Sequence, residues 1–292
     1  MTASPSYVLR GPVGVVIAHP DDESMFFTPT LTALRRDGQR VAVLSLSSGC
    51  FLQQETAPTS TRLLGHQKQS NLLERELQSS EVGHKNYGNF YGVGETRKRE
   101  LLKACGVLGV QEDDVVVIEH PMLQDGSTKA WPPSEVASQV HDFVLKFGIQ
   151  TILTFDAGGV SGHPDHTAVN SGVALFLRTR AVTFYRAGSS GSNPLEAYAL
   201  VTTGMLRKYS GMLDMPWSLA TSYAPPLGAF FSSFSAKIAW ASMAAHRSQF
   251  VWYRRLFVIF SRYAYVNTFT RMHVPPPPPP PPQASPAPHP HR

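Results

Sequence analysis

Val13-Gly-Val-Val-Ile-Ala18 is the segment that most limits the folds open to this chain. Its residues are apolar without alternation and rich in β-branched types, which suits a strand buried on both faces. Thr28 to Asp37 then reads as a helix, with Pro29 in its first turn and Gly38 at its end. Gln39 to Ser47, carrying Val41, Val43, Leu44 and Leu46, is a second buried strand. Two such strands joined by a helix form a βαβ unit, which demands a parallel sheet.

The pattern repeats downstream. The spacing predicts helices over Glu95 to Leu108, Pro133 to Phe147 and His163 to Leu177, with strands over Asp114 to Glu119 and Thr151 to Phe155. Alternation from Val13 to Leu177 predicts an α/β fold: a Rossmann-like, doubly wound, mostly parallel sheet with helices on both faces. The main domain is expected over 13–270, after a short N-terminal segment, 1–12. Cys50 to Tyr87 is polar and without clear period. It reads as an inserted surface loop with one short helix around Asn71 to Ser79, or as disorder. The tail, 271–292, contains eight consecutive prolines from Pro275 to Pro282 and is expected to be extended and unable to pack.

With 292 residues, 42% of them hydrophobic, the chain can bury a core. Its two cysteines, Cys50 and Cys105, rule out a Cys-x-x-Cys zinc site and argue against a disulfide framework. A formal charge of +5 favours anionic partners weakly. No run reaches the ~18 uncharged apolar residues of a membrane span, and no secretory signal is seen.

Sheets of this kind bind ligands beyond the carboxyl ends of their strands. Two suggestive segments begin there. His19-Pro-Asp-Asp-Glu23 follows Ala18 directly, and His163-Pro-Asp-His166 comes shortly after Phe155. Amide hydrolysis at neutral pH needs activated water, a base and a stabiliser for the oxyanion. A zinc ion with three protein ligands and an open position lowers the water pKa to ~7. His19 and Asp22, three apart on a tight turn, can reach one ion. His166 completes a two-His, one-carboxylate set, and Asp21 is left free to take the proton. His163 and His166, i and i+3 at a helix start, share a face, so one can bind metal while the other meets the substrate carbonyl. Asp165 is expected to orient His163 and hold it protonated.

Each feature also has a plainer reading. His-Pro-Asp-Asp alone is an ordinary turn with a helix cap, and exposed helical His-x-x-His pairs are common. Gly94-Glu-Thr-Arg-Lys-Arg-Glu100 has the look of a solvated helix face, and Asp156 to Gly162 of a flexible turn. His246-Arg-Ser-Gln249 leads into a helix that suits an amphipathic cover for the sheet.

Ala18-His-Pro-Asp-Asp-Glu23 with Gly162-His-Pro-Asp-His166 resembles the LmbE-like zinc deacetylases. Met25-Phe-Phe, Gly94 to Leu101, Thr154 to His163, Leu206-Arg-Lys-Tyr209 and His246 to Leu256 extend the likeness to the eukaryotic branch, the PIG-L de-N-acetylases. The resemblance covers roughly Val13 to Phe269 apart from the insert. It implies Zn2+ on His19, Asp22 and His166, with Asp21 as base and His163 as acid or oxyanion stabiliser. It further implies substrate contacts at Arg97, Asp156, His246 and Arg247. The implied reaction removes acetate from N-acetylglucosaminyl-phosphatidylinositol in GPI-anchor synthesis, on the cytoplasmic face of the endoplasmic reticulum. Bacterial relatives often carry tyrosine at the position of Ser161, so serine there tilts the substrate toward the lipid-linked sugar. Peripheral attachment to an anionic membrane is expected through His246 to Tyr265, where Arg247, Arg254, Arg255 and Arg262 mingle with aromatics. Nucleic acid is not an expected partner. Two rivals stay open: deacetylation of a soluble N-acetylglucosamine conjugate, and a non-catalytic scaffold whose polyproline tail binds SH3- or WW-type modules.

Overall fold

The computed structural model describes residues 9–49, 93–126, 130–186, 195–221 and 227–273. The predicted insert, 50–87, lies outside these residues, as does the tail from 274 onward. In chain order the elements are β1 (Val13–Ile17), α1 (Asp22–Phe26), α2 (Thr28–Arg36), β2 (Val41–Ser45), α3 (Gly94–Leu108), β3 (Val115–Val117), α4 (Pro133–Phe147), β4 (Thr151–Phe155) and α5 (Pro164–Arg186). There follow β5 (Glu196–Leu200), α6 (Met205–Lys208), α7 (Met215–Thr221), β6 (Leu227–Ser232), α8 (Lys237–Ala245), α9 (Trp252–Phe260) and β7 (Val266–Arg271).

Among the described residues, seven strands form one sheet in the order β3-β2-β1-β4-β5-β7-β6. β3 to β5 run parallel across the first five positions, and β7 is antiparallel to both β5 and β6. The Rossmann-like expectation therefore holds, with an antiparallel edge that periodicity did not reveal. β1, β2 and β4 are buried along their whole length. Each large apolar side chain so buried contributes roughly 1.5–3 kcal/mol. Gly14 of β1 lets α4 approach: a Cβ there would sit 2.7 Å from the Phe143 ring.

β1 lies between β2 and β4, and the chain leaves β1 and β4 on opposite paths, so the crevice at a switch point opens at their carboxyl ends. Both sequence motifs emerge there. The one boundary that moves near the site is the start of α5, at Pro164 instead of His163. Proline disfavours helical backbone in the residue before it, and His163 is extended, at φ −65° and ψ 123°. No described helix is long and apolar enough to cross a membrane.

Candidate functional site

The turn after β1 is fixed by its own carboxylates. Asp22 Oδ2 accepts the backbone N–H groups of Ala18 (3.1 Å) and His19 (2.9 Å), so Oδ1 turns inward. Asp21 has φ 118°, a left-handed value that a non-glycine residue adopts only when its surroundings enforce it. Here the enforcing group is Glu23, whose Oε2 accepts the Asp21 N–H at 3.0 Å. Glu23 is wholly buried, and its Oε1 is held at 2.6 Å by His246 Nε2 and at 2.5 Å by Ser24 Oγ. Burial opposes a charge on His246, but the charge and hydrogen bond of Glu23 outweigh it and raise the imidazole pKa.

The turn after β4 is held by backbone and stacking. Gly159 O lies 3.1 Å from His166 Nδ1, which places the ring proton there and leaves Nε2 bare as an acceptor or ligand. The His166 ring stacks on Phe155 at 4.0 Å. Val160, β-branched yet at φ 62°, gives its N–H to Thr202 Oγ1 at 2.8 Å. Asp156 accepts from Thr202 N (2.6 Å), Thr202 Oγ1 (2.5 Å) and Gly158 N (3.0 Å). Its carboxylate thereby stitches the loop together.

The turns meet at His19, Asp22 and His166, three buried residues whose ligand atoms all lie within 4.8 Å of one another. Asp22 Oδ1 is 3.2 Å from His166 Nε2, and Asp22 Oδ2 is 3.9 Å from His19 Nδ1. Atoms bound at ~2.0–2.1 Å around one tetrahedral ion have about this spacing. The donor set thus fits a divalent metal. A second set, His19, His163 and Asp165, shares His19 but is less enclosed.

Acids converge on His19. Its Nε2 is 3.0 Å from Asp165 Oδ2 and 3.5 Å from Asp125 Oδ1. Burial opposes its charge, yet the bond to Asp165 and the charges of Asp125, Asp22 and Asp165 raise its pKa to about 9. Asp22 shows the complementary shift: burial favours its neutral form, and His166 and His19 overcome this and lower its pKa. Net negative charge concentrated around one imidazole is the electrostatic environment a cation requires.

His163 departs from expectation. Its Nδ1 accepts the Asp165 backbone N–H at 3.3 Å, while the Asp165 carboxylate serves His19. Burial, followed by the charges of His19 and His166, lowers its pKa. Asp165 therefore does not hold His163 protonated. The bond at Nδ1 assigns it the neutral tautomer with a proton on Nε2.

Other expected contacts are also redirected. Arg97, 2% exposed, donates to Gly49 O (2.6 Å) and Pro20 O (2.8 Å), tying α3 to both strand ends. The face of α3 carrying Arg97, Glu100 and Leu101 is buried, not solvated. His246 is fully buried on Glu23, and Arg247 is exposed in a groove between α3 and α8. Neither reaches the metal set. Arg262 is wholly buried, 2.6 Å from Asp214, so it is not a membrane contact. Arg254 points instead at Asp21, with Nη1 2.7 Å from Oδ2.

Sequence reading missed Asp125, Glu23 as the clamp on Asp21, and Arg254 as its partner. Asp125 carried a signal, an acid in the loop beyond the third parallel strand. Beside the metal set, Met25, Tyr209, Tyr253, Arg254, Leu256, Phe257 and Phe260 line a pocket of about 470 Å³.

The family profile described as PIG-L, GlcNAc-PI de-N-acetylase, matches residues 14–177. The N-acetylglucosaminyl-phosphatidylinositol de-N-acetylase of Bos taurus is 32% identical over 87% of this chain and 81% of its own. A probable enzyme of the same name from Dictyostelium discoideum is 28% identical over 90% and 94%. Among solved structures, the N,N'-diacetylchitobiose deacetylase of Pyrococcus horikoshii superposes with a TM-score of 0.53 at 16% identity. That likeness covers 89% of this chain and 83% of the other, and it supports the fold. The chain belongs to the PIG-L family of GlcNAc-PI de-N-acetylases.

Proposed function

We propose that this protein hydrolyses the N-acetyl group of N-acetylglucosaminyl-phosphatidylinositol, giving acetate and glucosaminyl-phosphatidylinositol on the cytoplasmic face of the endoplasmic reticulum. The observation that carries this reading is the buried set His19, Asp22 and His166 lying next to Asp21, a buried carboxylate paired with Arg254 at 2.7 Å and Arg97 at 3.5 Å. The curated relatives supply the substrate class.

His19, Asp22 and His166 would hold a zinc ion, with Asp165 on the far nitrogen of His19 fixing its ring. A bound ion supplies a Lewis acid and lowers the pKa of coordinated water. Asp21 takes the proton of the attacking water and passes it to the leaving amine. Neutral His163 donates from Nε2 to the carbonyl oxygen as negative charge grows there. Arg97 and Glu23 position Asp21 without touching substrate.

Bilayer contact is assigned to an apolar rim instead of an arginine stripe. The turn Gly211–Asp214 packs on α6, α7 and α9, and along these elements Leu206, Leu213, Trp217, Trp252 and Phe260 are exposed. Exposed tryptophan and apolar side chains suit the bilayer interface. Flotation with neutral as well as anionic liposomes should recover the protein. Trp217→Ser with Trp252→Ser should release it, whereas release by Arg255→Gln alone would restore the electrostatic account.

The substrate reading is tested by acetate release from synthetic GlcNAc-phosphatidylinositol and from N,N'-diacetylchitobiose. The lipid-linked sugar should have a kcat/KM at least ~10-fold higher, because binding of its remote parts is spent at the reacting centre. Equal turnover of the two would shift the substrate class to soluble sugars.

A further inference from the structure

The motif Leu206-Arg-Lys-Tyr209 has no part in the reaction as described, yet its lysine is unusually placed. Lys208 is 5% exposed and makes no ion pair with a carboxylate among the described residues. Its Nζ donates to Ser161 Oγ, a neutral hydroxyl two residues before His163. Otherwise it faces the rings of Tyr209 at 5.6 Å and Phe257 at 5.7 Å, and both of these rings line the pocket beside the metal set. Burial lowers the pKa of this ammonium, with no anion offsetting the effect. A buried cation without a counter-ion is costly, and ring faces compensate for it only in part.

The pocket that those two rings line has a cation of its own. Arg254 is its one charged lining residue, on the same face of α9 as Phe257. The two protons of its Nη1 go to Gln249 O (3.1 Å) and Gln249 Oε1 (2.8 Å), and the contact with Asp21 also runs through Nη1. Nε and Nη2 have no partner among the described residues. An arginine with this edge free offers two parallel donors to an anion.

We infer that Arg254, in the lining of this apolar-walled pocket, and Lys208, behind its Tyr209 and Phe257 walls, together bind the phosphodiester of a lipid-linked substrate. Lys208 reaches the second turn through Ser161, and Arg254 reaches the first through Asp21. An anion seated between them would therefore register the sugar against both halves of the site. The apolar walls suit the start of a lipid chain better than a free, fully hydrated phosphate.

This inference rests on the proposed glycolipid substrate, and its test separates the two. With the metal-loaded full chain, calorimetry compares glucosaminyl-inositol glycerophosphate with the same pseudodisaccharide lacking phosphate. The parent should prefer the diester by at least ~10-fold, as for two charge-assisted contacts. Lys208→Gln and Arg254→Gln should each remove most of that preference while changing the Kd of the neutral ligand little. Lys208→Arg should retain it, and Arg254→Lys, which loses the fork, should retain part. Where a glutamine variant fails to fold by circular dichroism, the parent and the conservative variants decide. Equal binding of both ligands by the parent, parallel weakening of both by the variants, or displacement of the diester by equimolar inorganic phosphate would each overturn the site. A parent that prefers the diester but releases no acetate from GlcNAc-phosphatidylinositol overturns the reaction and leaves the site standing. Acetate release without diester preference does the reverse.

Discussion

The two turns that form the candidate metal centre are held in place by different physics. The turn after β1 depends on charge brought from far along the chain: His246 clamps Glu23, Glu23 clamps the Asp21 backbone, and Arg97 bridges Pro20 to Gly49. The turn after β4 depends on short-range hydrogen bonds and stacking: a carbonyl on His166, the Phe155 ring beneath it, and a loop stitched by Asp156 and Thr202. The first is sensitive to single charge deletions at a distance, whereas the second is sensitive to shape. The difference matches the roles proposed for them, since the first turn carries the base and the second carries a ligand and a neutral donor.

The largest effect expected is on the second turn. His166→Ala should abolish bound metal and take acetate release to background, because it removes one ligand of the fully buried set and leaves only the less enclosed one. Full metal retention in this variant would transfer the ligand role to the set containing His163. Next is a distant break of the first turn. His246→Ala leaves Glu23 buried without its cation and should cost about 3–5 kcal/mol. Chemical denaturation measures this directly, and a loss below ~1 kcal/mol would mean the clamp is dispensable.

A pH effect of similar size sharpens the contrast. In chelated protein the His19 pKa is raised to about 9 from an unfolded value of 6.5. Protonation of His19 therefore stabilises the fold fully below about pH 6.5, and this is lost as pH rises through about 9, a change on the order of 3 kcal/mol. Asp165→Asn should flatten that slope, and a slope unchanged in Asp165→Asn would point to other titrating groups. The smallest effect is at Arg247, which is exposed away from both turns. Arg247→Ala should alter stability by less than about 0.5 kcal/mol and leave KM for the glycolipid unchanged. A several-fold rise in KM would reinstate the substrate contact that the sequence suggested.

The β-branched run at Val13 and its repeats made the parallel part of the sheet legible, because burial on both faces leaves a plain mark on composition. The meeting of His19, Asp22 and His166 was equally legible, since all three sit beyond strand ends in short local motifs. What could not be read depends on long-range packing. β7 pairs antiparallel with β5 and β6, yet Val266-Asn-Thr-Phe-Thr-Arg271 has no period that names its neighbours. His246 carries the same imidazole whether it meets a phosphate or a buried Glu23, and only the 223-residue contact decides between them. Arg254 and Arg262 both looked like members of a basic membrane stripe. Their partners, Asp21 and Asp214, are set by long-range packing of α9 and of the turn that follows it.

The central claim is that the first turn supplies a base distinct from the metal ligands. Asp21→Asn tests it most directly, with metal content and acetate release measured on the same sample. The variant keeps the shape of the turn, and Asp22, His19 and His166 are untouched. The account predicts near-parental metal with kcat reduced at least ~100-fold, as for loss of a general base. Loss of metal from Asp21→Asn, with residual turnover in proportion to occupancy, would contradict it and exchange the roles of Asp21 and Asp22.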